Sequence, residues 1–184
     1  MSSSTIQPIQ FTPNQWFDNA RASIITANPS QNIFSLPSIS KLSINVGVGK
    51  YDNKQKQEIA EYLEKLTSQK PKKALSRDSI ASFKSRKGDV VGLVVTLRGQ
   101  KARDFLLQLV YIALPRTRDF KGIKSEVFNN NFSSYSLGIE NVNIFPSIGF
   151  DTTVSFGMQI NVCFKTSTPQ NRDLLQALQF PFKK

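Results

Sequence analysis

Ser40-Lys41-Leu42-Ser43-Ile44-Asn45-Val46-Gly47-Val48 alternates without a break. Leu42, Ile44, Val46 and Val48 fall on one side of an extended chain, with Ser43, Asn45 and Gly47 on the other. That is the period of a strand buried on one face only. The pattern returns over Gly157–Lys165, where Met158, Ile160, Val162 and Phe164 oppose Gln159, Asn161, Cys163 and Lys165. Val90–Arg98 reads as an inner strand with Thr96 and Arg98 facing away from Val95 and Leu97, and Tyr135–Ile139 as a shorter one. Helical stripes lie around these strands. Trp16, Phe17, Ala20 and Ile24 follow Pro13; Ile59, Tyr62, Leu63 and Leu66 follow Asn53, the expected cap. Phe105, Leu106, Leu109, Val110 and Ala113 form the stripe of a helix expected over Gln100–Leu114, and Leu174, Leu175 and Leu178 that of a helix opened by Pro169. Pro71 and Pro115 are expected to end the helices before them, and Lys72–Arg77 reads as a short extended piece. Strands with one polar face, together with helices to cover the other, predict an α+β fold. The sheet is mostly antiparallel, helices pack on one face, and the other face is left open. Residues 1–12, rich in Ser and Gln, read as a flexible arm before a single domain over 13–184.

The chain of 184 residues is long enough to bury a core without disulfides or metals. It has no histidine, which removes the Ser-His and Cys-His catalytic arrangements and most zinc chemistry. One cysteine, Cys163, excludes an internal disulfide framework. No stretch approaches the roughly 18 consecutive apolar residues of a spanning helix, and Met1-Ser2-Ser3-Ser4 lacks the basic flank of a secretory signal. No membrane partner is expected. The positive feature is charge: 24 Lys and Arg against 13 Asp and Glu, a net of +11. From Lys65 to Lys124 the chain holds fifteen basic residues and four acids, and the remainder balances at nine of each. The whole excess therefore sits in the middle of the chain, the pattern of an electrostatic face for a polyanion.

The open sheet face would present Ser43, Asn45, Thr96, Arg98, Gln159 and Asn161. Apart from Arg98 these are neutral hydrogen-bonding groups suited to the base edges, phosphates and 2′-hydroxyls of RNA. Ser79–Gly88 carries Lys84, Arg86 and Lys87 with one aromatic, Phe83, and almost no aliphatics. Such a segment reads as an exposed finger that meets nucleic acid by charge and ring stacking. Gly47-Val48-Gly49-Lys50 resembles a phosphate loop but lacks its spacing and the Ser or Thr after the Lys, so it reads as a strand end. Cys163 lies within an alternating strand and reads as structural. No enzyme signature and no cofactor site emerges.

Several segments occur together in order: Lys41-Leu-Ser-Ile-Asn45-Val-Gly47-Val-Gly49, Ser68-Gln69-Lys70-Pro71, Ile80-Ala-Ser-Phe83-Lys84-Ser-Arg86-Lys-Gly88, Val95-Thr96-Leu97-Arg98-Gly99, Leu114-Pro115-Arg116-Thr-Arg118-Asp119-Phe120-Lys-Gly122, Tyr135-Ser-Leu-Gly138-Ile139, Ile144-Phe145-Pro146 and Phe180-Pro181-Phe182. This series resembles the large-subunit ribosomal protein five family in its bacterial form, over roughly residues 14–184. The resemblance implies a structural protein of the central protuberance that binds 5S ribosomal RNA. Its implied partners are the 23S-type RNA, the peptidyl-site transfer RNA, neighbouring 5S-binding ribosomal proteins and a protein of the small-subunit head. It implies that Asn45, Gln69, Phe83 and Thr96 serve the 5S surface, where the alternation already places Asn45, Thr96 and Arg98. It assigns the loop with Ser79, Phe83, Lys84, Arg86 and Lys87 to the transfer RNA, and the region of Arg116, Arg118 and Lys121 to the small-subunit side.

The chain also departs from that family. Asn130-Asn131-Phe132 followed by Ser133-Ser134 stands where relatives carry a Gly-Arg-Gly turn, and Ser147–Phe156 is nearly uncharged. These changes touch the expected subunit-interface side rather than the RNA-binding core. They fit a divergent bacterial ribosome, or equally one of a mitochondrion or plastid. Charge and composition alone would also suit a free-standing RNA chaperone or regulatory RNA binder, which co-sedimentation with the large subunit separates from a ribosomal protein.

Overall fold

The computed structural model describes residues 12–27, 32, 35–79, 86–117, 122, 128–129, 131–146 and 154–182. In chain order these form α1 (Pro13–Ala27), β1 (Ile39–Gly47), α2 (Asn53–Thr67), β2 (Lys72–Leu75), β3 (Val90–Leu97), α3 (Gly99–Gln108), β4 (Ser134–Ile139), β5 (Met158–Phe164) and α4 (Gln170–Ala177). The strands make one sheet in the order β2-β3-β1-β5-β4, with every neighbouring pair antiparallel. Leu42, Ile44 and Val46 of β1, Leu93, Val95 and Leu97 of β3, and Met158, Ile160 and Val162 of β5 are buried on one face. The stripes of all four helices join them in one core: Trp16, Phe17, Ala20 and Ile24 from α1, Ile59, Leu63 and Leu66 from α2, Ala102, Phe105 and Leu106 from α3, Leu174 and Leu175 from α4. Burial alternates strictly along β1 from Leu42 to Gly47 and along β3 from Leu93 to Leu97, so among the described residues no helix covers the other face, as the alternation predicts.

The helix ends differ from expectation in instructive ways. Thr12, assigned to the arm, starts α1: its amide donates to Gln15 Oε1 at 3.1 Å and its hydroxyl accepts from the Gln15 amide at 3.4 Å. That reciprocal pair satisfies two donors that a helix start leaves open, and Pro13 behind it has no amide to satisfy. The cap of α2 is Asp52 rather than Asn53, with the Asp52 amide donating to Gln55 Oε1 at 3.1 Å. This helix ends at Ser68, whose left-handed backbone (φ 52°) turns the chain before Pro71 is reached. The helix expected over Gln100–Leu114 keeps its α form only to Gln108. Leu109–Ala113 form a widened turn in which the Leu114 amide reaches back five residues to the Leu109 carbonyl, and Leu114–Arg116 tighten into a 3-10 turn. The extra residue in the wide turn keeps Leu109, Val110, Ala113 and Leu114 all buried. Pro115, which has no amide, then ends the ladder.

Aromatic rings close the far end of the sheet. Tyr135 of β4 is fully buried, with Phe128 at 4.8 Å between centroids and Phe182 and Phe180 edge-on at 5.9 and 6.3 Å. Phe180 and Phe182, beyond α4, thereby cover β4. The Asn171 side chain ties the start of α4 to the segment before β4, donating to the Phe132 carbonyl at 2.7 Å and the Thr166 carbonyl at 2.6 Å.

Candidate nucleic-acid interface

Strand register sorts the uncovered face into rows. One runs Thr96 (β3), Ser43 (β1), Asn161 (β5), Ser136 (β4). The next runs Lys72 (β2), Val94 (β3), Asn45 (β1), Gln159 (β5), Gly138 (β4). A third joins Lys41, Cys163 and Ser134. With strands spaced about 4.8 Å apart, five of them make a surface about 19 Å wide. No residue in these rows is fully buried, and most are short polar side chains. The Asn161 side-chain oxygen is sealed from solvent with no hydrogen-bond partner, an acceptor held in the middle of the face. Ser134 and Ser136 belong to this surface as much as Asn45 does. Their alternation with Tyr135, Leu137 and Ile139 was the signal that could have placed them.

Asn45 and Thr96 stand where the alternation predicts, one row apart on adjacent strands. Gln69 joins them from outside the sheet: its Nε2 donates to the Thr96 carbonyl at 3.1 Å, across 27 residues of sequence. Gln69 is thus part of the surface by holding the end of β3. Arg98 is not a strand residue. It follows β3 as the N-cap of α3, extended and exposed, because Gly99 with φ 58° turns the chain immediately after it.

Phe83 and Lys84 lie outside the described residues. The base of their loop is hydrogen-bonded shut: the Lys87 amide donates to Ser79 Oγ at 3.0 Å, the Arg86 amide to Asp89 Oδ2 at 2.8 Å, and the Gly88 amide to the Ser76 carbonyl at 3.0 Å. Gly88 permits this closure through a φ of 94°. The side chains of Ser79, Arg86 and Lys87 remain exposed. Arg116 is exposed on the 3-10 turn that follows α3, whereas Arg118 and Lys121 lie outside the described residues.

Two cations of the middle region are engaged within the fold. Arg103 sits 4.9 Å over the Phe17 ring and donates to Asn14 Oδ1 at 3.0 Å, fastening α3 to α1. Lys101, although its side chain is exposed, donates from Nζ to the Ser68 carbonyl at 2.7 Å. The middle-region charge is therefore not wholly available as a binding surface. Lys70, Lys72, Lys73, Arg77, Arg86, Lys87 and Arg98 stay exposed. Among the described residues no cluster of acids and cysteine is arranged to hold a metal ion. No helix among them is long and apolar enough to cross a membrane.

An open polar sheet face, a basic rim and a basic loop closed at its base suit a structural RNA-binding role, and comparison with known proteins assigns the chain to one family. The model of ribosomal protein L5 matches residues 32–86, and that of the C-terminus of the same ribosomal family matches residues 90–182. The large ribosomal subunit protein uL5 of Nitrosomonas europaea is 40% identical over 157 residues, which cover 83% of this chain and 87% of that protein. The chain belongs to the ribosomal protein L5 (uL5) family in its bacterial type, a family of non-enzymatic proteins of the large ribosomal subunit.

Proposed function

We propose that the chain binds 5S ribosomal RNA through the uncovered face of its sheet. The observation that carries this reading is the run of neutral hydrogen-bonding side chains across it, Thr96, Ser43, Asn161 and Ser136 in one row with Asn45 and Gln159 in the next. Family membership supplies the ribosomal context, and the face supplies groups that meet base edges and 2′-hydroxyls without demanding a phosphate at every contact. Arg98 at the end of β3 and Lys72 at the sheet edge add phosphate contacts at the margin. The loop between β2 and β3, with Ser79, Phe83, Lys84, Arg86 and Lys87, reaches the peptidyl-site transfer RNA. Arg116, Arg118 and Lys121, after α3, face the small-subunit head.

Binding of a 5S RNA transcript tests the assignment of the face. Asn45→Ala and Thr96→Ala each remove one neutral hydrogen-bonding group and are expected to weaken binding by about 1–3 kcal/mol, the cost of leaving a buried polar partner unpaired. If both variants bind like the parent, the RNA lies on another surface.

A further inference from the structure

Lys101 is one of the cations that charge alone would assign to phosphate. It stands in the first turn of α3, an unfavourable place for a positive charge on its own helix. Its ammonium is instead directed to the carbonyl of Ser68, at the C-terminal end of α2, where a cation is favoured. Ser68 adopts a left-handed backbone without being glycine. The turn around it is tightly specified: Thr67 Oγ1 lies 2.6 Å from the Leu63 carbonyl and 3.1 Å from the Gln69 carbonyl, and its single proton serves one or the other. The next side chain, Gln69, crosses to the Thr96 carbonyl at 3.1 Å. Two bonds therefore join the same pair of turns, Lys101 to Ser68 and Gln69 to Thr96. Between them lie Arg98 and the left-handed Gly99.

We infer that Lys101 is a positioning residue for the RNA face, a strut that fixes the Gln69–Thr96 corner, and not a phosphate ligand. The inference rests on the sheet face binding RNA as proposed above. Without the strut, the turn at Ser68 loses its cation, Gln69 samples other rotamers, and the Thr96 end of β3 with Arg98 is held less firmly against the RNA. Arginine at this position still reaches a carbonyl; methionine fills the space of the lysine stem without a donor.

The experiment measures 5S transcript affinity and its salt dependence for the parent, Lys101→Met, Lys101→Arg, Gln69→Ala and the Lys101→Met/Gln69→Ala pair, all well below their unfolding temperatures. The expected result is a loss of about three- to tenfold for Lys101→Met, the scale of one net hydrogen bond. Lys101→Arg recovers most of it. The salt slope of Lys101→Met stays that of the parent, and the pair binds little worse than Gln69→Ala alone because both changes loosen the same corner. A slope shallower by about 0.7–0.9 would identify a phosphate contact and overturn the strut. Additive losses in the pair, or unchanged affinity in Lys101→Met, would overturn it as well. Asn45→Ala, read in the same series, tests the RNA face itself. If Asn45→Ala binds like the parent, the RNA lies on another surface and both readings fall, whereas a weakened Asn45→Ala with an unaffected Lys101→Met removes only this one.

Discussion

Gly157, just before β5, and Gly138, within β4, show what a single methyl group decides. A Cβ on Gly157 would lie 3.0 Å from the Ile139 carbonyl oxygen and 3.2 Å from that of Glu140, both rigid backbone atoms. Gly157→Ala must push β5 away from the end of β4, and the expected cost is about 1–2 kcal/mol, the lower part of the overpacking range. Gly138, on the open face beside Gln159, would give a Cβ that meets nothing within 4 Å, and Gly138→Ala is expected to leave stability unchanged or slightly raised. Urea unfolding of both variants checks the contrast, and equal midpoints would refute it. In the sequence, Gly157 reads only as the first residue of an alternating run. The two carbonyls that exclude a side chain there come from the β4 end, well upstream in sequence, so no local pattern reports them. Arg103 illustrates the same limit from the side of charge. Its type suggests a phosphate contact, and only the packing of α1 on α3 places Phe17 and Asn14 beneath it.

At the scale of elements, alternation was the legible signal. It identifies β1 and β5 and their two faces because one side is apolar and the other mostly polar; β3, with Val90 and Val94 on its open side, carries the signal less cleanly. Helix interiors were legible for a related reason, since their stripes have the helical period. The ends were less so. Asp52 and Asn53 are both good cap residues, and adjacent candidates leave the choice to the Gln55 side chain that reaches back to Asp52. The wide turn at Leu109–Ala113 leaves no mark, because an apolar stripe can continue through one inserted residue without a gap. Nor does periodicity reveal that the β4 strand would be sealed by aromatics from other segments. That burial has a measurable consequence. It pushes the Tyr135 phenol from its ordinary 10.0 up to about 12, so the folded protein favours the neutral form. The associated stability is whole below pH 10 and is lost as pH rises from 10 through 12, up to roughly 2–3 kcal/mol. Thermal unfolding of the parent should therefore fall more steeply over that window than unfolding of Tyr135→Phe. Parallel curves would mean that the phenol is accommodated as an anion.

For the whole molecule, the question is how a net charge of +11 divides between folding and RNA. The sum and its concentration between Lys65 and Lys124 are plain in the sequence, but the division is not. It depends on which carbonyls and rings the folded chain brings to each cation. Arg103 is used by α1, and Lys101 by the end of α2. Arg86 and Lys87 stand at the base of a loop whose closing bonds are made by backbone amides, leaving the charged ends outward. On the proposed reading, sheet face and loop are separable devices: the face recognises RNA by hydrogen bonds with a few marginal cations, while Arg86 and Lys87 carry exposed charge outside it. Between about four and seven phosphate contacts are expected for the 5S complex, so log affinity should fall by about three to six units per decade of salt. If the loop serves a second nucleic acid, replacing Lys84, Arg86 and Lys87 by alanine should leave that slope close to the parent's and the protein folded. Large subunits carrying the variant should assemble in normal yield and retain peptidyl-site transfer RNA less well. The opposite outcome, a slope reduced by about two or more with transfer-RNA retention unchanged, would place the loop's cations on the 5S RNA and make face and loop one interface.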